Sequence, residues 1–204
     1  MSLRERLIGM FYRAATGSRK MRNLLTPAGA VFFFGLIALF ILASLQVDKF
    51  LGFPKLLPTS LNIIVSAPIL AIGLFLMIWS ILHFIRVKGT PVPFNPPPKL
   101  VTTGPYARVR NPMVTGVFIL LFGLGVILRS ISLVSIFTPL FILFNVWELK
   151  AVEERELERR LGKDYIEYKK RVPMFIPQLK VRAKKPIKWK EKQPVAQQQI
   201  KGGG

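Results

Sequence analysis

The chain has no cysteine among its 204 residues, which excludes disulfides, cysteine-ligated metal sites and thiol nucleophiles. Histidine occurs once, at His83, and only ten acidic side chains face thirty Lys and Arg, for a net charge of +20. Charge is also missing from two long stretches, Pro27 to Val47 and Leu61 to Ile85. A cleavable signal-peptide pattern is lacking, because residues 1–26 are too long and basic and the apolar run after them is too long. The first apolar run is therefore expected to act as its own insertion signal.

What the chain does have is 51% hydrophobic residues and a mean hydropathy of +0.40 alongside that basic charge. Soluble domains rarely combine the two, and segregation of apolar runs from charged connections is the usual resolution. A helix needs roughly 20 apolar residues to cross a hydrocarbon core of about 30 Å, which both uncharged runs supply. Two shorter runs, Met113 to Leu128 and Ser132 to Trp147, flank Arg129 and fit short spans joined by a tight turn. Arg129 can snorkel and Trp147 can sit at the interface.

Lys and Arg concentrate in residues 1–26, 86–112 and 148 onward, and are few in 48–60 and at the second turn. By the positive-inside rule the rich segments are cytoplasmic, and four spans satisfy the parity with both termini on that side. The fold class expected is all-α: a polytopic membrane protein of about four transmembrane helices with cytoplasmic interfacial helices. Beside anionic lipid headgroups the basic segments are accounted for without nucleic acid, which is not an expected partner.

Leu3, Leu7, Met10 and Phe11 fall at helical spacing, so residues 1–26 read as a basic interfacial segment. Prolines at 91, 93, 96, 97 and 98 forbid a helix between the second and third runs and favour a stiff, extended path. Pro112 is placed to open the next helix. After Trp147 the helical pattern continues to Leu161 and stops at Gly162. Leu149, Val152, Leu157 and Leu161 form a stripe that includes Glu153, with Glu154 at its edge. A carboxylate there needs a partner: Arg160 is the internal one, a cationic ligand the functional one. Residues 27–177 thus form the membrane domain, its site in 88–177, and 178–204 a basic tail expected to be disordered.

Leu100-Val101, Gly104-Pro105-Tyr106, Arg110-Asn111-Pro112-Met113, Gly116, Glu153-Glu154, Leu161-Gly162, Tyr165, Tyr168 and Arg171-Val172-Pro173 together resemble the isoprenylcysteine carboxyl methyltransferases, their bacterial and archaeal relatives, and the phospholipid N-methyltransferases. The resemblance runs from Gly89 to Pro177. It implies an S-adenosylmethionine-dependent methyltransferase. The cofactor would be bound by Lys99, Leu100, Val101, Tyr106, Asn111, Pro112, Met113 and Val114, with Glu153 and Glu154 completing the site. The family's Arg-His-Pro-x-Tyr motif is altered here, Asn111 standing for histidine and Val114 for tyrosine. Asn111 can still donate a hydrogen bond, whereas Val114 cannot.

Methyl transfer from a sulfonium is an in-line displacement, so alignment and exclusion of water are required and a protein nucleophile is not. Arg110 is the candidate for orienting an anionic acceptor or the cofactor carboxylate, and Lys150 is a weaker one. No metal is implied. His83 is either an interfacial structural residue or a general base. The acceptor implied is a lipid-like or prenylated amphiphile; a non-catalytic membrane scaffold or sensor retaining the fold is the alternative. The oligomeric state is left open.

Overall fold

A computed structural model describes residues 3–17, 19–86 and 100–177. Prolines 91–98, Lys99 and the tail 178–204 lie outside them. The described residues are helical with no strand, so the all-α expectation holds. Seven α-helices follow in order: α1 (Leu3–Thr16), α2 (Arg19–Leu51), α3 (Thr59–Arg86), α4 (Pro112–Ile127), α5 (Thr138–Glu148), α6 (Glu154–Leu161) and α7 (Lys163–Arg171). Two π-helical turns, Leu133–Phe137 and Leu149–Glu153, join on either side of α5 and make one helical course from Leu133 to Leu161.

Three helical stretches are long and apolar enough to cross a membrane: Asn23–Leu51, Thr59–Arg86 and Leu133–Leu161. A shorter apolar helix, α4, has 16 residues and extends about 24 Å at 1.5 Å per residue. Short as it is, α4 runs alongside α3. The ends of α2 and α4 meet the starts of α3 and α5: the Asp48 carboxylate accepts hydrogen bonds from Ser130 Oγ and from the Ser132 amide at 2.9 Å, and Asn62 Nδ2 donates to the Ile127 carbonyl at 2.9 Å. Successive helices are therefore antiparallel. The other end of the bundle collects the end of α3, the start of α4 and α6–α7.

The most extensive helix contact is between α3 and α4, and small residues make it possible. Ser66, Gly73 and Ser80 of α3 are buried seven residues apart, facing buried Gly116 and Gly123 of α4. A Cβ on Gly116 would lie 2.9 Å from the Gly73 carbonyl oxygen and 2.9 Å from the Met77 amide nitrogen. Backbones this close are a membrane-helix packing mode, because lipid offers apolar side chains no hydrophobic reward for association. Beyond the seam, Phe141 is fully buried at the centre of the core with Val117, Phe118 and Leu121. It meets the rings of Phe33, Phe40 and Phe118 at centroid distances of 5.8–6.2 Å, which ties α2, α4 and α5 together.

Helix α1 docks on α6 and on the second π turn. Ile8 is buried there, whereas Met10 of the anticipated stripe is exposed. Glu5 pairs with Arg159 of α6 at 2.7 Å.

Candidate functional site

The chain between α3 and α4 is pinned where it re-enters the bundle. Gly104 adopts φ +61°, and a Cβ there would lie 2.7 Å from Cε1 of the His83 ring. Only glycine meets both conditions at no steric cost. The 3₁₀ turn Gly104–Ala107 thereby sets Tyr106 against the end of α3. Its ring packs edge-on against Phe84 at 4.9 Å, and its hydroxyl hydrogen-bonds with Ser80 of the small-residue seam. His83 Nε2 lies 2.8 Å from Thr103 Oγ1, so the single histidine braces this turn.

Arg110 and Asn111 follow as irregular chain. Their amides donate to the carbonyls of Pro173 at 2.8 Å and Met174 at 3.1 Å, and Phe175 then reaches the core to pack on Phe118 at 5.3 Å. Pro112 opens α4 at its first position, where a missing N–H costs nothing. The Asn111 carbonyl accepts from the Thr115 amide and hydroxyl. Its side-chain amide caps nothing.

Across from this segment, Arg110 Nη1 stands 2.6 Å from Glu154 Oε1, with Glu154 buried and the Arg110 side chain 11% exposed. The other oxygen of Glu154 meets Lys169 Nζ at 2.5 Å, and Lys169 also reaches Glu158 at 3.1 Å. Burial lowers the affinity of the Lys169 ammonium for its proton, but hydrogen bonds to Glu154 and Glu158 outweigh it and hold the pKa above the ordinary value. Tyr168 Oη donates to the Tyr106 carbonyl at 2.7 Å, and Tyr165 hydrogen-bonds Arg110. Burial pushes the phenols of Tyr106, Tyr165 and Tyr168 up, so all three stay protonated hydroxyls.

The acidic pair divides its labour differently from the helical-wheel reading. Glu154, expected at the stripe's edge, is buried, and Glu153 is half-buried. The π turn ending at Glu153 adds a residue to one turn of helix and rotates everything after it, which a 3.6-residue wheel cannot anticipate. Arg160 does not claim Glu153: its Nε donates to Glu156 at 2.7 Å. Glu153 feels Glu148, Glu154 and Glu156 as like charges and Arg160 as the opposing one, and it acts on the Tyr106 and Tyr165 hydroxyls.

Of the anticipated residues, Tyr106, Arg110, Asn111, Pro112, Glu153 and Glu154 come together. Val101 is buried and Leu100 and Met113 are half-buried on the same approach, whereas Val114 packs against the aromatic core. Lys150 is exposed and forms no ion pair among the described residues. Lys99 lies outside the described residues. Lys169 was not singled out from sequence; its only signal is its place one residue after Tyr168.

These tyrosines yield a first expected outcome. Tyr168→Phe deprives the buried Tyr106 carbonyl of its donor and should cost about 1–3 kcal/mol. A melting curve of the purified variant in detergent checks this.

A family model described as phospholipid methyltransferase matches residues 61–164, from the start of α3 through α7's first turn, and so spans the seam, the Tyr106 turn and the acidic pair. The chain belongs to the phospholipid methyltransferase family. It is 30% identical over 122 residues to the nickel-cobalt-cadmium resistance protein NccN of Alcaligenes xylosoxydans xylosoxydans, an alignment covering 56% of this chain and 53% of that protein. The chain thus spans about half the length of this curated relative. No solved structure matches it. Family membership and three membrane-length apolar helices make it a membrane protein of a methyltransferase family. Among the described residues no group of three or more His, Asp or Glu side chains is placed to hold a metal ion.

Proposed function

We propose that the chain is an S-adenosylmethionine-dependent methyltransferase acting on a lipid-like or prenylated acceptor embedded in the membrane. The cofactor is held on the cytoplasmic side, where both termini also lie. The observation that carries this reading is the set of polar groups left over at the Tyr106–Arg110–Glu153 junction. Among the described residues Glu153 has no carboxylate-to-cation contact, while Arg160 is committed to Glu156. Arg110 Nε is buried with no hydrogen-bond partner among the described residues. The Asn111 amide caps nothing.

Such a remainder fits the cofactor. S-adenosylmethionine supplies a methyl group on a sulfonium, and it carries an ammonium and a carboxylate besides. A cationic centre there relieves the crowding of Glu153 by Glu148, Glu156 and Glu154 and pairs with its carboxylate. Asn111 and the free Nε of Arg110 offer donors for the carboxylate, while Leu100, Val101 and Tyr106 provide apolar walls. With its methyl-bearing centre fixed, the protein's remaining task is to align the acceptor and exclude water. An amphiphilic acceptor arrives laterally from lipid. Basic segments around α1 and α7 sit against anionic headgroups.

A second reading, a non-catalytic scaffold or sensor, is favoured by one observation: Val114, at the family's tyrosine position, turns into the aromatic core. Two measurements on the full chain in detergent separate the readings. Calorimetry with S-adenosylhomocysteine should show saturable binding, weakened about tenfold or more in Glu153→Gln, as loss of one charge-assisted contact implies. Absence of binding by folded protein would sink the cofactor assignment. Binding without transfer of labelled methyl to any component of a membrane lipid extract would select the scaffold.

A further inference from the structure

At the opposite end of the bundle, segments 48–60 and 128–132 contain only three Lys or Arg residues: Lys49, Lys55 and Arg129. Though far apart in the chain, all three line one cavity of about 380 Å³, with Leu45, Pro54 and Leu128 among its apolar walls. Its acid, Asp48, is already occupied by hydrogen bonds from Ser130 Oγ and the Ser132 amide. None of the three cations forms an ion pair within 4.0 Å among the described residues, although Lys55 lies within electrostatic reach of Asp48. Three positive charges therefore surround a partly apolar space with one committed carboxylate between them.

Arg129 carries the case further. Its φ is +58°, the one positive value at a non-glycine among the described residues, a conformation that glycine adopts freely and branched-off side chains do not. Its carbonyl accepts from the Leu56 amide at 3.2 Å and Nη1 donates to Thr59 Oγ1 at 3.0 Å, so backbone and head group are both fixed. Its Nε is buried and has no hydrogen-bond partner among the described residues. A fixed guanidinium with a spare donor, two further ammonium groups and an apolar wall together complement a phosphate ester attached to an apolar body.

We propose that this cavity binds the phosphate of an anionic lipid headgroup, at the end of the bundle remote from the methyl-transfer site. Arg129 Nε and the Lys49 and Lys55 ammonium groups donate to the phosphate oxygens, and Leu45, Pro54 and Leu128 receive the glycerol end. A zwitterionic choline headgroup is selected against, because its own cation would enter among three others.

The test uses the full chain purified in a neutral detergent and melted with added phosphatidylglycerol, phosphatidylcholine or inorganic phosphate. Phosphatidylglycerol should raise the melting temperature saturably, and phosphatidylcholine should not. In Arg129→Gly the apparent affinity should fall about tenfold or more, the loss of one charge-assisted donor. The melting temperature without lipid should hold or rise, since glycine removes the backbone strain. The double variant Lys49→Gln/Lys55→Gln, which leaves the backbone turn untouched, should show the same loss of affinity. Stabilisation by inorganic phosphate as well would assign recognition to the phosphate group alone, and stabilisation by the lipid only would assign it to the phosphate with its glycerol. Equal stabilisation by phosphatidylcholine, or a phosphatidylglycerol effect that survives in both variants, overturns the proposal.

Discussion

Arg110→Met should lower stability by roughly 3 kcal/mol, at the low end of the range for removing one partner of a buried ion pair. The loss follows from what is left behind. Glu154 stays buried with only Lys169 to compensate it, and Lys169 is itself 36% exposed and shared with Glu158. Tyr165 also loses its hydrogen bond to the guanidinium. The backbone bonds from residues 110 and 111 to Pro173 and Met174 survive, so the loop should keep its course. A melting curve in detergent reads the effect, and Arg110→Met/Glu154→Gln should recover most of it, because taking away both charges removes the uncompensated one. If the double variant is as unstable as the single, Arg110 matters through packing and not through its charge. On the methyltransferase reading, Arg110→Met also removes the cation that pairs with Glu154 beside Asn111 and should slow transfer about a hundredfold, the scale of a misaligned reactant.

That expectation depends on a feature sequence could not supply. The loop's Arg110 and the acidic pair were legible as two elements on one end of a hairpin, because short antiparallel helices return the chain to its starting side. Which acid pairs with Arg110 was not legible. A wheel at 100° per residue puts Glu153 on the buried stripe, and the π turn Leu149–Glu153 moves Glu154 there. No residue in Leu-Lys-Ala-Val-Glu announces that turn, against which α1 docks. Lys169 escaped for a similar reason. Its partners Glu154 and Glu158 sit on α6, and only the tight reversal at Gly162, with φ +60°, brings α7 back alongside them. Gly162 itself was readable as a helix stop, and Pro112 as a helix start, since both act through local backbone geometry. The α3–α4 seam was present in the sequence as Ser66, Gly73 and Ser80 and as Gly116 and Gly123, but uniform apolarity hides which face of a membrane helix meets its neighbour.

The seam is where a single methyl group should do most damage. Gly116→Ala places a Cβ 2.9 Å from the Gly73 carbonyl oxygen and 2.9 Å from the Met77 amide nitrogen. Both are backbone atoms of a helix and cannot rotate away, so α3 and α4 must separate. The expected cost is roughly 1–3 kcal/mol, the range for overpacking a tight interface, in addition to lost contact along the seam. Gly123→Ala meets Leu70 Cδ2 at 2.7 Å, a side-chain terminus that can swing aside, and should cost less. Gly35→Ala on α2 meets nothing within 4 Å, and the gain in helix propensity should leave it neutral or stabilised by up to about 1 kcal/mol. Melting temperatures in detergent should therefore rank Gly35→Ala highest, then Gly123→Ala, then Gly116→Ala. Because Tyr106 hydrogen-bonds Ser80 of the same seam, separation at Gly116 should also loosen the site, so S-adenosylhomocysteine affinity should fall in that variant and hold in Gly35→Ala. A Gly116→Ala protein as stable as Gly35→Ala would mean that α3 and α4 are not in backbone contact, and the position of Tyr106 against α3 would have to be sought elsewhere.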